Sequence, residues 1–313
     1  MSGPDDPGMA RLSAVRSAGS LPADPGLTAR IGLTMLLLAA VYAVFVTVLW
    51  VAGGSVFLIA IVVAGLAIAQ YFYSDRLVLA AMRARVIDRT EAPELVDRIE
   101  RLAAQFDLPI PRVAIIDTDA PNALATGRDP SHSVVAVTTG LLSRLDGAEL
   151  DAVLAHELSH VRHRDAAVLT MAAVFATVAS FIVQIGFWLG LGGGGRDRDG
   201  RSSIVLVYLV SLVVWLVSFL LIRALSRYRE LAADRGSAIM TGAPSQLASA
   251  LVKISGAMER IPDADLRAVE PASALMLVPA FSRRSLIGLL ATHPSLDDRL
   301  AQLRRLEAEG LEK

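Results

Sequence analysis

The sequence predicts a mainly α integral membrane protein, with four transmembrane helices and a polar α+β portion that contains a small β-sheet. Three observations predict it. Apolar residues make up 54% of the 313-residue chain against 19% charged, and the apolar excess falls in blocks, as spans do and a single large core does not. Residues 113–116 and 133–138 are rich in β-branched side chains and bounded by turn formers, so they read as two strands. Helical periodicity surrounds them.

Residues 1–30 are rich in Pro, Gly, Asp, Ser and Ala and read as a flexible tail. Residues 31–73 carry no charge and are about twice the ~20 residues that cross ~30 Å of hydrocarbon. Gly53-Gly54-Ser55 interrupts them, which gives a transmembrane hairpin with helices at 32–51 and 55–73. It reads as an uncleaved anchor, because a secretory signal has its apolar core nearer Met1. Residues 74–165 form the first part of a polar domain. In it Leu95, Ile99, Leu102 and Phe106 recur at spacings of three and four, an amphipathic helix whose start suits Thr90 and Pro93. The link from Pro121 to Pro130 has turn chemistry. Leu145-Asp146-Gly147 reads as a turn before a helix that begins near Ala148. Residues 166–224 form a second transmembrane hairpin: an uncharged block to Gly195, a charged loop at 196–201, and a further apolar block at 202–222. Residues 225–313 supply Ala-, Leu- and Arg-rich helices that complete the polar domain.

Lys/Arg bias near the span ends sets orientation. Arg76, Arg83, Arg85, Arg89, Arg162, Arg164, Arg223, Arg227 and Arg229 all fall on one side, so both termini and the polar domain are expected in the cytoplasm and the chain in a cell membrane. The basic loop Arg196, Arg198, Arg201 opposes this, tempered by Asp197 and Asp199. A net charge of -1 gives no bulk attraction to nucleic acid. With no cysteine, disulfides, thiolate metal ligands and thiol nucleophiles are excluded, so any metal must be held by His, Asp or Glu.

The chemistry centres on His156-Glu157-Leu158-Ser159-His160. Residues i and i+4 share a helix face, so both imidazoles reach one metal ion, and neutral imidazole suits zinc. Glu157 is placed to take a proton from an attacking water and pass it to the leaving amine. The best third ligand is Glu230, in Arg229-Glu230-Leu231-Ala232-Ala233-Asp234. His160 lies about six residues before the third span and Glu230 about eight after the fourth, so both stand roughly 10 Å outside the bilayer on one side. Asp234, one turn further, reads as a carboxylate that orients a ligand His. His293, before Pro294, is assigned to catalysis as a group that stabilises the transition state or binds substrate. His163 reads as part of a basic membrane-edge cluster and His132 as a loop residue.

At these residues the chain resembles the HtpX-type, heat-shock-associated membrane zinc proteases, relatives of the CAAX prenyl proteases with a gluzincin-type site. The matched pieces run in order: Pro121 to Arg128, Val137 to Leu142, the His156–His160 motif with Arg164-Asp165, Glu230 to Arg235, and His293-Pro294. The resemblance implies a zincin-like catalytic domain, one zinc held by His156, His160 and Glu230, and Glu157 as general base. It implies polypeptide substrates, membrane proteins among them, a role in membrane-protein quality control, and a cleft lined by Asn122, Ala123 and the nearby strand. The long tail and the Gly-rich segment 192–201 depart from the family pattern. Leu145-Asp146-Gly147 precedes the His motif in a polar segment, unlike the corresponding triplet of site-two intramembrane proteases. The competing class is a catalytically silent membrane scaffold, against which all the expected ligands and the base are intact.

Overall fold

A computed structural model describes residues 25–51, 56–190, 198–258, 260 and 293–309. Helices α1 (Pro25–Val51), α2 (Val56–Ala81), α6 (Asp165–Gly190) and α7 (Arg198–Thr241) are each long and apolar enough to cross a membrane. Side chains such as Leu36, Leu58, Phe181 and Leu209 are exposed along them, as lipid-facing residues are. Helix α1 starts at Pro25, inside the stretch expected to be tail, and α2 runs on to Ala81 rather than ending near 73. The turn at Gly53, the glycine run before Arg196 and most of the tail lie outside the described residues.

The consecutive helices α1 and α2 touch little; α1 packs on α7 and α2 on α6, flanking the α6–α7 pair. Tyr42 of α1 donates to the Ala172 carbonyl and stacks on Phe175, with ring centroids 4.6 Å apart. Gln70 of α2 donates to Thr177 of α6 at 3.1 Å.

The polar domain is built on a four-stranded sheet of β1 (Arg85–Ile87), β2 (Arg112–Ile116), β3 (Ala123–Thr126) and β4 (Val134–Thr138), in the order β1-β2-β4-β3. The β2–β4 pair is parallel, with Ala114 opposite Ala136; the outer pairs are antiparallel, with Ala123 opposite Val137 at the β3 edge. Strands β2 and β4 match the β-branched runs. Strand β3, in the link read as turn, is Ala-Leu-Ala-Thr: its intrinsic strand preference is weak, and pairing with β4 plus full burial overrides it.

Helix α3 (Pro93–Gln105) follows, its Pro at the first turn where a missing N–H costs nothing. It buries Ile99 and Leu102, and with Phe106 just past its end, against the sheet and α5 (Gly147–His163), each such side chain contributing about 1.5–3 kcal/mol. Asp146 caps α5 by accepting from the Ala148 and Glu149 amides at 3.0 Å each, and Glu149 returns a bond to the Asp146 amide at 3.1 Å. Burial works to raise the Glu149 carboxyl, but the Lys253 ammonium, the Ser249 hydroxyl and the Asp146 amide outweigh it and hold it below its ordinary value. Helices α8 (Pro244–Met258) and α9 (Leu296–Ala308) close the same core, which joins Val153, Leu251 and Leu303.

A short helix α4 (Thr139–Leu142) links β4 to α5. Here Gly140 donates its N–H to the Thr118 carbonyl at 2.9 Å, and a Cβ on it would stand 2.2 Å from the Asp119 carbonyl oxygen. The obstacle is backbone leading into β3. Gly140→Ala is therefore expected to destabilise the domain by about 1–3 kcal/mol, read from its denaturation midpoint in detergent. An unchanged midpoint would mean that the 118–119 backbone gives way freely.

Candidate metal centre

Four helices and a short lead-in segment converge on one buried group of side chains. Helix α5 carries His156 and Glu157, both buried, and His160, partly buried one turn on. Helix α7 is a single element of 44 residues, about 66 Å at the helical rise. It is therefore about twice as long as the hydrocarbon is thick, and its far end delivers Glu230 and Asp234 to α5. Ser237 locks the two helices together by donating to the Ala152 carbonyl at 2.7 Å.

His156, His160 and Glu230 each offer an atom to one point, and these atoms lie within 4.8 Å of one another. The Nε2 atoms of His156 and His160 are 3.1 Å apart, His160 Nε2 is 3.4 Å from Glu230 Oε1, and His156 Nε2 is 3.7 Å from Glu230 Oε2. Ligand atoms about 2.0–2.1 Å from a small tetrahedral cation are about 3.3 Å apart, so the observed spacings straddle what an ion there requires. Behind this face, His156 Nδ1 is 3.0 Å from Asp234 Oδ1. Burial alone would push both imidazoles down; Asp234 and Glu230 outweigh it at His156, and Glu230 does so at His160, so both are held above the ordinary value.

Glu157 is 1% exposed, and neither carboxylate oxygen has a hydrogen-bond partner among the described residues. Burial pushes its carboxyl up, opposed by the His156 and His160 imidazoles. A buried carboxylate left without partners is costly, and such an arrangement is kept where the group has work to do. His293, just ahead of α9, is buried with its Nδ1 3.2 Å from Glu230 Oε2. Asn122 just precedes the edge strand β3 and Ala123 begins it, both buried; the Asn122 side chain accepts from the Ala123 amide at 2.9 Å. His163 is exposed, with Nδ1 3.4 Å from Ser159 Oγ, and His132 pairs with Asp129 on the surface.

Three further residues enter the group; in the sequence Arg229 counted toward orientation and Asp165 stood among the pieces that carry the resemblance, but none was given a part in the metal centre. Arg299 of α9, 3% exposed, grips Asp234 with two bonds (Nε to Oδ2 at 2.8 Å, Nη2 to Oδ1 at 2.6 Å) and brings Nη1 to 3.5 Å from Glu230 Oε2. Asp165 places Oδ2 2.7 Å from His160 Nδ1, and Arg229 donates to Asp165 Oδ1. In the sequence Arg299 is one arginine among several on an amphipathic helix, and Asp165 is five residues from its partner, off the helical register.

A family model for peptidase family M48 matches residues 89–307, a span that contains every residue of this group. The chain belongs to peptidase family M48. It is a membrane metallopeptidase, and its M48 relatives match nearly end to end. "Protease HtpX homolog" of Moorella thermoacetica is 62% identical over 294 residues, covering 94% of this chain and 98% of the relative. "Protease HtpX homolog 2" of Methanosarcina acetivorans is 54% identical over 287 residues, covering 91% and 97%. Among solved structures, the crystal structure of S. mikatae Ste24p superposes with a TM-score of 0.52 at 16% identity, covering 90% of this chain and 67% of that one. At that identity the likeness is one of fold alone.

Proposed function

We propose that this M48 peptidase is a zinc endopeptidase of the cell membrane that cleaves misfolded or damaged membrane proteins from the cytoplasmic side. The observation that carries the reading is the buried His156–His160–Glu230 group with Glu157 unpartnered beside it. Two imidazoles and a carboxylate are the donor set of catalytic zinc, which keeps a further position open. A zinc ion held there would acidify water and polarise the scissile carbonyl.

The remaining chemistry belongs to the chain. Glu157 accepts a proton from the attacking water and delivers it to the leaving amine; burial, which pushes its carboxyl up, makes it a better proton acceptor. Asp234 holds the His156 ring through Nδ1, and Arg299 holds Asp234. His293, with Nδ1 3.2 Å from Glu230 Oε2, stands beside the ligands where it stabilises the transition state or binds substrate. Among the described residues β3 is the last strand of the sheet, so beside Asn122 and Ala123 an extended peptide would add as a further strand through backbone bonds, which suits loose sequence preference. The quality-control role follows from that tolerance together with a site about 10 Å from the bilayer surface. The cytoplasmic side follows from the arginines at the span ends.

Two measurements test this. Full-length protein purified in detergent without chelator is expected to hold one zinc per chain and to cleave casein; chelation abolishes cleavage and zinc restores it. Protein that takes up no zinc when resupplied sinks the mechanism, and zinc without cleavage of either casein or membrane-protein substrates favours a scaffold. For orientation, a reporter fused at Gly194 is expected to read non-cytoplasmic; a cytoplasmic signal overturns the assignment.

A further inference from the structure

We propose that Asp165 and Arg229 are positioning residues of the metal centre, forming a second histidine–carboxylate–guanidinium relay behind His160 that parallels the one behind His156. The inference rests on the metal-site reading above and adds two residues to it.

The relay depends on a break in the chain. On a straight helix, a residue five positions after His160 points about 140° away from it. Arg164 prevents that outcome. It caps α5 in the left-handed conformation (φ 56°, ψ 39°), and α6 starts afresh at Asp165. A non-glycine residue there costs roughly 1–2 kcal/mol. The strain swings the Asp165 carboxylate back beneath the His160 ring, 2.7 Å from Nδ1.

The contact fixes a tautomer. A carboxylate has no proton to give, so Nδ1–H donates and the Nε2 lone pair is left facing Glu230 and His156. An ionised carboxylate on Nδ1 also makes Nε2 a stronger donor to a metal. At 5% exposure that charge needs a partner, and Arg229, 8% exposed, supplies it by donating to the other carboxylate oxygen. The same guanidinium donates to the His163 carbonyl at 2.9 Å, so it clasps the last turn of α5 as well.

The two relays draw on different elements. His156–Asp234–Arg299 joins α5, α7 and α9; His160–Asp165–Arg229 joins α5, α6 and α7. Arg229 is also the sequence neighbour of Glu230. Helix α7 thus reaches the centre three times, through Glu230 at the ion face, Asp234 behind His156 and Arg229 behind His160.

The test is zinc competition against a fluorescent chelator, using full-length protein in detergent, with casein cleavage measured alongside at saturating zinc. Asp165→Asn keeps the shape and removes the charge; zinc affinity is expected to fall 10- to 100-fold. At saturating zinc its kcat falls while KM for casein stays near wild type. The double variant Asp165→Asn/Arg229→Met removes both buried charges. A positioning role predicts that it recovers the thermal midpoint but keeps the weakened zinc affinity of Asp165→Asn; a purely structural ion pair predicts that both recover, which overturns the proposal. Arg229→Lys keeps the charge without the two-way clasp and covers the case in which Asp165→Asn does not fold: it should bind zinc more weakly than wild type, and equal affinity overturns the proposal. Wild type that binds no zinc defeats the metal reading itself, whereas wild type and Asp165→Asn binding zinc equally defeats this inference alone.

Discussion

Glu157→Gln is expected to leave the protein folded and zinc-loaded while casein cleavage falls by about 10²–10⁴-fold, the range general acid–base groups contribute. The substitution is isosteric, and the side chain stands in a buried space where neither oxygen has a partner among the described residues, so no existing bond is broken. Removing a buried negative charge also relieves a desolvation cost, which offsets the amide's own lack of partners. None of the three metal-facing atoms belongs to Glu157. Zinc per chain and initial cleavage rate, measured on the same preparation, separate the two functions. Cleavage at the wild-type rate would remove Glu157 as base. Loss of zinc would mean that its carboxylate supports the ligands rather than the chemistry.

Arg299→Ala is expected to be the most damaging change to stability. Arg299 neutralises two buried carboxylates at once, Asp234 through paired bonds and Glu230 through Nη1 at 3.5 Å. Its removal strands negative charge in the core, a loss of about 3–5 kcal/mol for a buried pair broken from one side. The effect passes to the site by contact, since Asp234 holds His156 and Glu230 faces both imidazoles. Arg299→Lys should rescue little, because an ammonium cannot reproduce a planar two-pronged grip. Chemical denaturation in detergent with and without zinc reads both effects. A variant as stable as wild type in both states would show that solvent or another cation replaces the guanidinium.

How much of this was legible depends on whether a residue's role is set by local spacing. His156 and His160 are four apart on one helix, and Glu230 and Asp234 repeat that spacing, so both halves of the group announce themselves. The spans are equally legible, because uncharged blocks of that length have few alternatives. Strand β3 was hidden because Ala-Leu-Ala-Thr carries only a weak strand preference and is extended by its partner β4. Asp165 was hidden by the left-handed turn at Arg164, which no periodicity anticipates, and Arg299 by its resemblance to a surface arginine on an amphipathic helix. The continuous run of α7 past residue 222 was likewise invisible as one element: its apolar stretch ends there, but nothing breaks the helix.

That unbroken run has a mechanical consequence. A helix pivoting near Val214, in the packed middle of the bundle, carries Glu230 on an arm of about 24 Å, so a tilt of about 10° sweeps the carboxylate through about 4 Å. That sweep exceeds the 3.1–3.7 Å spacings of the donor atoms themselves. Helices tilt when the hydrocarbon around them thins or thickens. The bonds that tie this arm to its neighbours, Ser237 to the Ala152 carbonyl and Arg229 to Asp165, oppose that sweep, so they are what hold the ligand set in line when the bilayer changes thickness.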